Sequence, residues 1–208
     1  MFILFPTLNE LKGSLGDVAV DEWKYGILEG QWRSHRIFVT GVTKTNATFA
    51  SALIFSELKP ERALLVGICG AYRQGGLQPG DLVTIEKDWF VDEALFLSSG
   101  IRLLGEEGFP VCDGGYASFE PFVGLQTADS NTVSLLGAVD SLADSYYNKT
   151  KAQTENMEGA AVGLAALKTG VTVSQVRGVS NYCGDRDKQQ WNIKSAFKSL
   201  NSFLIKNL

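Results

Sequence analysis

Six short apolar runs, at residues 1–5, 36–42, 63–69, 82–86, 122–126 and 172–179, set the strongest limit on how this chain can fold. Each is short and rich in β-branched or aromatic residues, as expected for strands covered on both faces of a sheet. Between several of them lie helical patterns. Thr45 to Leu58 places Ala47, Ala50, Leu53, Ile54 and Leu58 at helical spacing and ends before Pro60; Gly159 to Thr169 is a small-residue helix stopped by Gly170; Trp191 to Leu208 repeats Trp191, Ile193, Phe197, Leu200 and Leu204. Strands alternating with helices predict an α/β fold, a single three-layer domain over residues 1–208 with a mixed, mostly parallel central sheet flanked by helices. The stretch from Asp129 to Lys149 mixes Ser, Asp, Asn and Tyr and is expected to be loop and short helix near a ligand.

Composition removes several classes of function. With 208 residues, 45% of them hydrophobic, the chain can bury roughly 70% of its unfolded surface in one core. Three widely spaced cysteines, Cys69, Cys112 and Cys183, with no Cys-x-x-Cys, argue against a disulfide framework and for a reducing compartment. A single histidine, His35 in a polar turn, leaves no zinc site and receives no catalytic role. Neither a metal nor a cofactor is expected. Met1 to Pro6 is too short for a signal-peptide core and reads as a first buried strand, and no stretch approaches the ~20 apolar residues of a membrane span. These features predict a soluble, cytoplasmic protein. A net charge of −4 argues against nucleic acid, whose binding needs clustered cations, and so favours a small-molecule partner.

Two groups stand where α/β proteins place chemistry. Glu158, between Met157 and the small residues Gly159-Ala160-Ala161, is set at a helix start; a carboxylate there complements the helix dipole, or accepts both hydroxyls of a vicinal diol. Asn181 follows Ser180 at the exit of the 172–179 strand, as an ordinary turn residue or as an amide facing the same crevice. Arg177, inside that strand, needs a carboxylate partner if buried. Glu10 lies in Thr7-Leu8-Asn9-Glu10, which matches a Thr-x-x-Glu capping box and equally a strand-end carboxylate able to activate water. Gly67-Ile68-Cys69-Gly70-Ala71 lacks the Gly-x-Gly-x-x-Gly spacing of a dinucleotide loop; its glycines serve either a tight turn or close backbone approach to a ligand. Asp185-Arg186-Asp187 is a solvated charge cluster, or a reader of an anionic substrate arm.

Taken together, these segments resemble the nucleoside phosphorylase and nucleosidase superfamily over nearly the whole chain. The resemblance implies a homodimer or larger homo-oligomer acting on a nucleoside, with Glu10 as water-activating base and Met157-Glu158 holding the ribose; Ile68, Cys69, Ser180 and Arg186 complete the substrate-binding set. The departure is Asn181, where adenine-specific nucleosidases carry an aspartate acid. An amide cannot supply a proton but can accept from N7–H and donate to a 6-oxo group, which suits hypoxanthine. The run from Arg177 to Ile193, with Phe5-Pro6-Thr7, Glu10 and Thr40-Gly41-Val42, is similar to futalosine hydrolases. That resemblance implies hydrolysis of futalosine, a hypoxanthine nucleoside bearing a carboxyphenyl ketone arm, in an alternative menaquinone pathway. A purine nucleoside phosphorylase, a methylthioadenosine/S-adenosylhomocysteine nucleosidase, and a noncatalytic nucleoside-binding module are the competing readings.

Overall fold

The computed structural model describes residues 1–208. In chain order its elements are β1 (Phe2–Phe5), α1 (Leu8–Leu15), β2 (Val20–Lys24), β3 (Ile27–Trp32), β4 (His35–Val39), α2 (Lys44–Leu58), β5 (Arg62–Ala71), β6 (Leu82–Trp89), β7 (Ala94–Leu97), β8 (Gly100–Leu103), β9 (Tyr116–Ser118), β10 (Gln126–Thr132), α3 (Asp140–Thr150), β11 (Thr154–Asn156), α4 (Gly159–Thr169), β12 (Thr172–Tyr182) and α5 (Ile193–Asn207).

Alternate residues of the central strands feed two separate apolar cores. Leu4 and Leu65 join Phe38, Ile54, Phe55, Ala160 and Ala161 beneath α2 and α4. Their neighbours Ile3, Phe5, Leu64 and Val66 point the other way, toward Leu11, Leu200, Phe203 and Leu204 of α1 and α5. Full burial of each such aliphatic side chain stabilises the fold by roughly 1.5–3 kcal/mol, and the period-two alternation fixes strand register, since a one-residue slip would exchange the cores. Small residues bring the helices close. A Cβ on Gly178 of β12 would sit 2.9 Å from the Ala196 carbonyl of α5.

The sheet runs β11-β10-β6-β12-β5-β1-β4-β3-β2, with β9 against β6, and a β11–β5 pairing closes five of these strands on themselves. The four middle strands β12, β5, β1 and β4 are mutually parallel. The sheet is mixed, as expected, and away from these strands β10 is parallel to β6 and β11 while the other pairings are antiparallel. The hairpin strands β2 and β3 are antiparallel, β6 runs against both β12 and β9, and β11 runs against β5. Strands β7 and β8 form a separate hairpin. No helix is long and apolar enough to cross a membrane.

Three expectations need correction, and one hairpin went unread. The 122–126 run is not a strand: Val123 is 94% exposed, Gly124 takes φ +90°, and the strand begins at Gln126. The 36–42 run stops at Val39 because Gly41 turns at φ +87°. Asp129 to Thr132 belongs to a strand, its Ser130, Asn131 and Thr132 buried by hydrogen bonding rather than by apolar character, and the helix that follows is eleven residues long. Hairpin β2–β3 has no strong apolar run to announce it.

Candidate active site

The exits of β1, β4, β5 and β12 open on one cavity of about 580 Å³, within the range of small-molecule sites. It is lined by all eight residues singled out from the sequence: Glu10, Ile68, Cys69, Met157, Glu158, Ser180, Asn181 and Arg186.

Glu10 sits in the first turn of α1, not on a loose strand-end loop. Thr7 caps the helix by accepting from Glu10 N–H at 3.1 Å, which is half of a capping box. The carboxylate does not complete the box. Its Oε2 accepts from the Thr7 hydroxyl at 2.7 Å and its Oε1 from Ile68 N–H at 3.0 Å, which turns it into the cavity. Burial, then the negative charge of Glu158, push its pKa up to about 7, against the pull of Arg177. A carboxyl group titrating there is suited to take a proton near neutrality.

Arg177, fully buried, finds the partner its position demanded. Its guanidinium donates to Glu158 Oε2 at 3.4 Å, to the Ile68 carbonyl at 3.2 Å and to Asn156 Oδ1 at 3.0 Å. Residue Ile68 therefore presents its N–H to Glu10 and its C=O to Arg177. Gly67 makes that meeting possible, since a Cβ there would lie 2.5 Å from Arg177 Nη1 and 2.7 Å from Glu10 Oε1. The glycines of the 67–71 segment thus serve close approach rather than a turn. Neither needs a positive φ, and the strand runs straight through both.

Glu158 immediately precedes α4 and is held from two sides, by Arg177 and by Thr43 N–H at 3.4 Å. Burial raises its pKa, and Arg177 and the Thr43 amide oppose that rise. Beneath it Asn156 Oδ1 accepts from the N–H groups of Glu158 and Gly159 at 2.8 and 2.6 Å, while its Nδ2 donates to Asp88 Oδ2 at 2.7 Å. Asp88 also receives Thr132 and Gln175. Gly159 has to be glycine, because a Cβ would fall on the Asp88 carboxylate.

At the other end of the cavity a register shift between Val179 and Asn181 leaves Ser180 as the extra residue of a bulge. Bulges re-aim side chains beside functional sites. The Ser180 hydroxyl shares its proton between the Cys69 carbonyl, at 3.0 Å, and Asn181 Oδ1, at 2.8 Å. Asn181 Nδ2 donates to the Tyr182 carbonyl at 2.8 Å. Each end of the amide keeps one free site, a lone pair and an N–H. Met157 is half-buried against the cavity, and Arg186 stands exposed on its rim in a short 3-10 turn without an ion-pair partner. The capping-box pattern had pointed to Thr7, but the sequence reading missed Thr43, Asn156 and Asp88 as supports. The only trace of Asn156 and Asp88 was polarity within buried segments.

The phosphorylase superfamily model matches residues 25–204. A futalosine hydrolase of Thermus thermophilus is 34% identical over 172 residues, covering 77% of this chain and 75% of the relative. Among solved structures, a futalosine hydrolase mutant of Helicobacter pylori superposes with a TM-score of 0.75 at 17% identity, over 99% of this chain and 98% of the other. The 5′-methylthioadenosine/S-adenosylhomocysteine nucleosidase of the same organism gives 0.77 at 15%, over 99% and 97%, which is likeness of fold. By the extent of the family match and the identity to the Thermus relative, this chain belongs to the phosphorylase superfamily and, within it, to the futalosine hydrolase family.

Proposed function

We propose that this chain hydrolyses the N-glycosidic bond of futalosine, releasing hypoxanthine and dehypoxanthine futalosine. The observation that carries the reading is Glu10: a buried carboxyl group with its pKa near 7, held by Thr7 and Ile68 and facing the same cavity as Glu158 and Asn181. Glu10 takes a proton from water as the water oxygen bonds to the anomeric carbon. The carbon–N9 bond breaks with its electron pair going to the purine, which carries a solvent-derived proton on N7. Asn181 Oδ1 accepts from that N7–H, and its spare N–H donates to the 6-oxo group. Glu158, fixed by Arg177 and Thr43, binds the ribose diol beside the positive charge that develops on the sugar. Arg186 at the rim reads the carboxylate of the substrate arm; Arg186→Gln should raise KM for futalosine and leave inosine turnover unchanged, and equal effects on both would remove that role.

The rival phosphorolysis reading needs a cation free to hold phosphate. The one buried arginine is committed to Glu158 and Asn156, Lys44, at the start of α2, is paired with Asp92 and Glu93, and the unpaired Arg186 stands exposed at the rim, on the loop that follows the Asn181 end of β12. A phosphate dianion would instead meet Glu10 and Glu158. Incubating the protein with futalosine and with inosine, with and without phosphate, tests the reaction: free sugars in both conditions are expected, and sugar 1-phosphates would overturn hydrolysis.

The same reading takes residues 1–208 as one three-layer domain, supported by the two cores on opposite faces of the middle strands. It also takes the molecule as a cytoplasmic homo-oligomer, in keeping with the exposed Leu95, Phe96 and Phe109, which light scattering on the purified protein would test.

A further inference from the structure

A third buried carboxylate faces the cavity and has no part in the steps above. Glu155 of β11 lines the cavity with only 5% of its surface exposed. It is registered against Gly70 of β5, and on the opposite edge of β5 Asn181 is registered against the same glycine. Residues paired across neighbouring strands send their side chains to one face of the sheet. A Cβ on Gly70 would lie 2.7 Å from Cys183 Sγ and 3.5 Å from Asn181 Nδ2, so the Cys183 thiol covers this glycine and forms the floor between the carboxylate and the amide. That arrangement leaves a slot for a flat ring with polar groups at its two edges.

The polarity of this wall is one-sided. Glu155 accepts from Gly137 N–H at 3.1 Å and from the Tyr72 hydroxyl at 2.9 Å, with the Cys183 thiol lining the cavity as well. Tyr72 itself receives Asn131 Nδ2 at 3.2 Å, which commits its proton to Glu155. The Gly137 carbonyl is occupied by Gly184 N–H at 2.7 Å. The Gly137 backbone thus has no N–H left for a ligand, only the second lone pair of its carbonyl. A carboxylate has about four acceptor positions, and the bonds from Gly137 and Tyr72 fill two, one on each oxygen. What Glu155 offers a ring is therefore an acceptor.

We infer that Glu155 is the residue that selects the base, accepting the N1–H of a 6-oxopurine whose other edge is held by Asn181. The inference rests on the purine-nucleoside reading of the site. A 6-oxopurine carries a proton on N1, whereas a 6-aminopurine presents a lone pair there, which would meet the ionised Glu155 carboxylate, the form that prevails above about pH 7, with no proton between them. A site built to pair a polar group rejects the analogue that cannot pair.

Two measurements separate this role from a structural one. For the unaltered protein, calorimetry should show 1-methylhypoxanthine, whose N1–H is blocked, binding at least tenfold more weakly than hypoxanthine. Glu155→Gln, which brings an N–H donor, should lower kcat/KM on inosine about 100-fold and shrink the preference for inosine over adenosine at least tenfold. Equal binding of the two bases, or a loss in Glu155→Gln that is the same for both nucleosides, would overturn the assignment while leaving hydrolysis standing. If the unaltered protein neither binds hypoxanthine nor cleaves any purine nucleoside, the underlying reading fails together with it.

Discussion

Glu10 and Gly67 show how a single residue can carry two demands. The Thr7-Leu8-Asn9-Glu10 segment does cap a helix, but only through Thr7, so the carboxylate remains free for the cavity. As a general base it must be ionised to act. With its pKa raised to about 7, kcat/KM should climb through pH 7 and level off above it. Glu10→Gln should lose about 10²- to 10⁴-fold in kcat, the span general-base removal gives, with KM little changed. Rates across pH 5 to 9 check both; a flat profile, or full activity in the variant, would assign the proton transfer elsewhere. Gly67→Ala makes a different point. Its added methyl would wedge between Arg177 Nη1 and Glu10 Oε1, so we expect a cost of about 1–3 kcal/mol, the usual range for overpacking, and a loss of at least tenfold in kcat/KM. Thermal melts and steady-state rates on the one variant measure both effects.

At the scale of elements, the entrance of α4 does the most positioning. Sequence places Glu158 at the start of this helix, and the structure puts it there, but the side chain that holds the start is Asn156. Asn156 joins the helix N–H groups, Arg177 and Asp88 in one network, so Asn156→Ala would leave several buried polar groups unpaired. At ~1–3 kcal/mol for an unpaired buried group, the variant should lose on the order of 3 kcal/mol or more. Urea titration should show the loss, together with a raised KM from the untethered Glu158; a midpoint within 1 kcal/mol of the parent would mean that the network tolerates the gap. Hydrophobic periodicity revealed α2, α4 and α5, because their apolar stripes are what the sheet buries. It could not reveal the Asp129–Thr132 part of β10, whose burial is satisfied by hydrogen bonds, nor the 179–181 bulge that aims Asn181.

The whole molecule pays for this cavity in acid–base balance. Glu10 and Glu155 are each lifted from 4.5 to about 7, and Asp88 from 3.8 to about 6, all chiefly by burial. A carboxyl group whose folded pKa exceeds its unfolded value binds more protons when folded, so its contribution to stability is present at low pH and falls as pH rises between the two values. The ligand-free protein should therefore melt at a lower temperature at pH 7.5 than at pH 5.5, and Glu10→Gln should reduce that difference. A melting temperature that rises over the same interval would contradict the buried-carboxylate picture. Sequence by itself determined the alternation of strand and helix, the absence of a membrane-spanning helix, and the placing of Glu10, Met157, Glu158 and Asn181 near the ends of strands and helices, because apolar period and helix or strand boundaries are local properties. Only the tertiary structure decided that β11 closes five strands on themselves, that Arg177 ties Glu158 to the Glu10 side of the cavity, and that Glu155 lies across Gly70 from Asn181. Those relations join residues far apart in the chain, and pairing register and charge compensation are settled only when the strands meet.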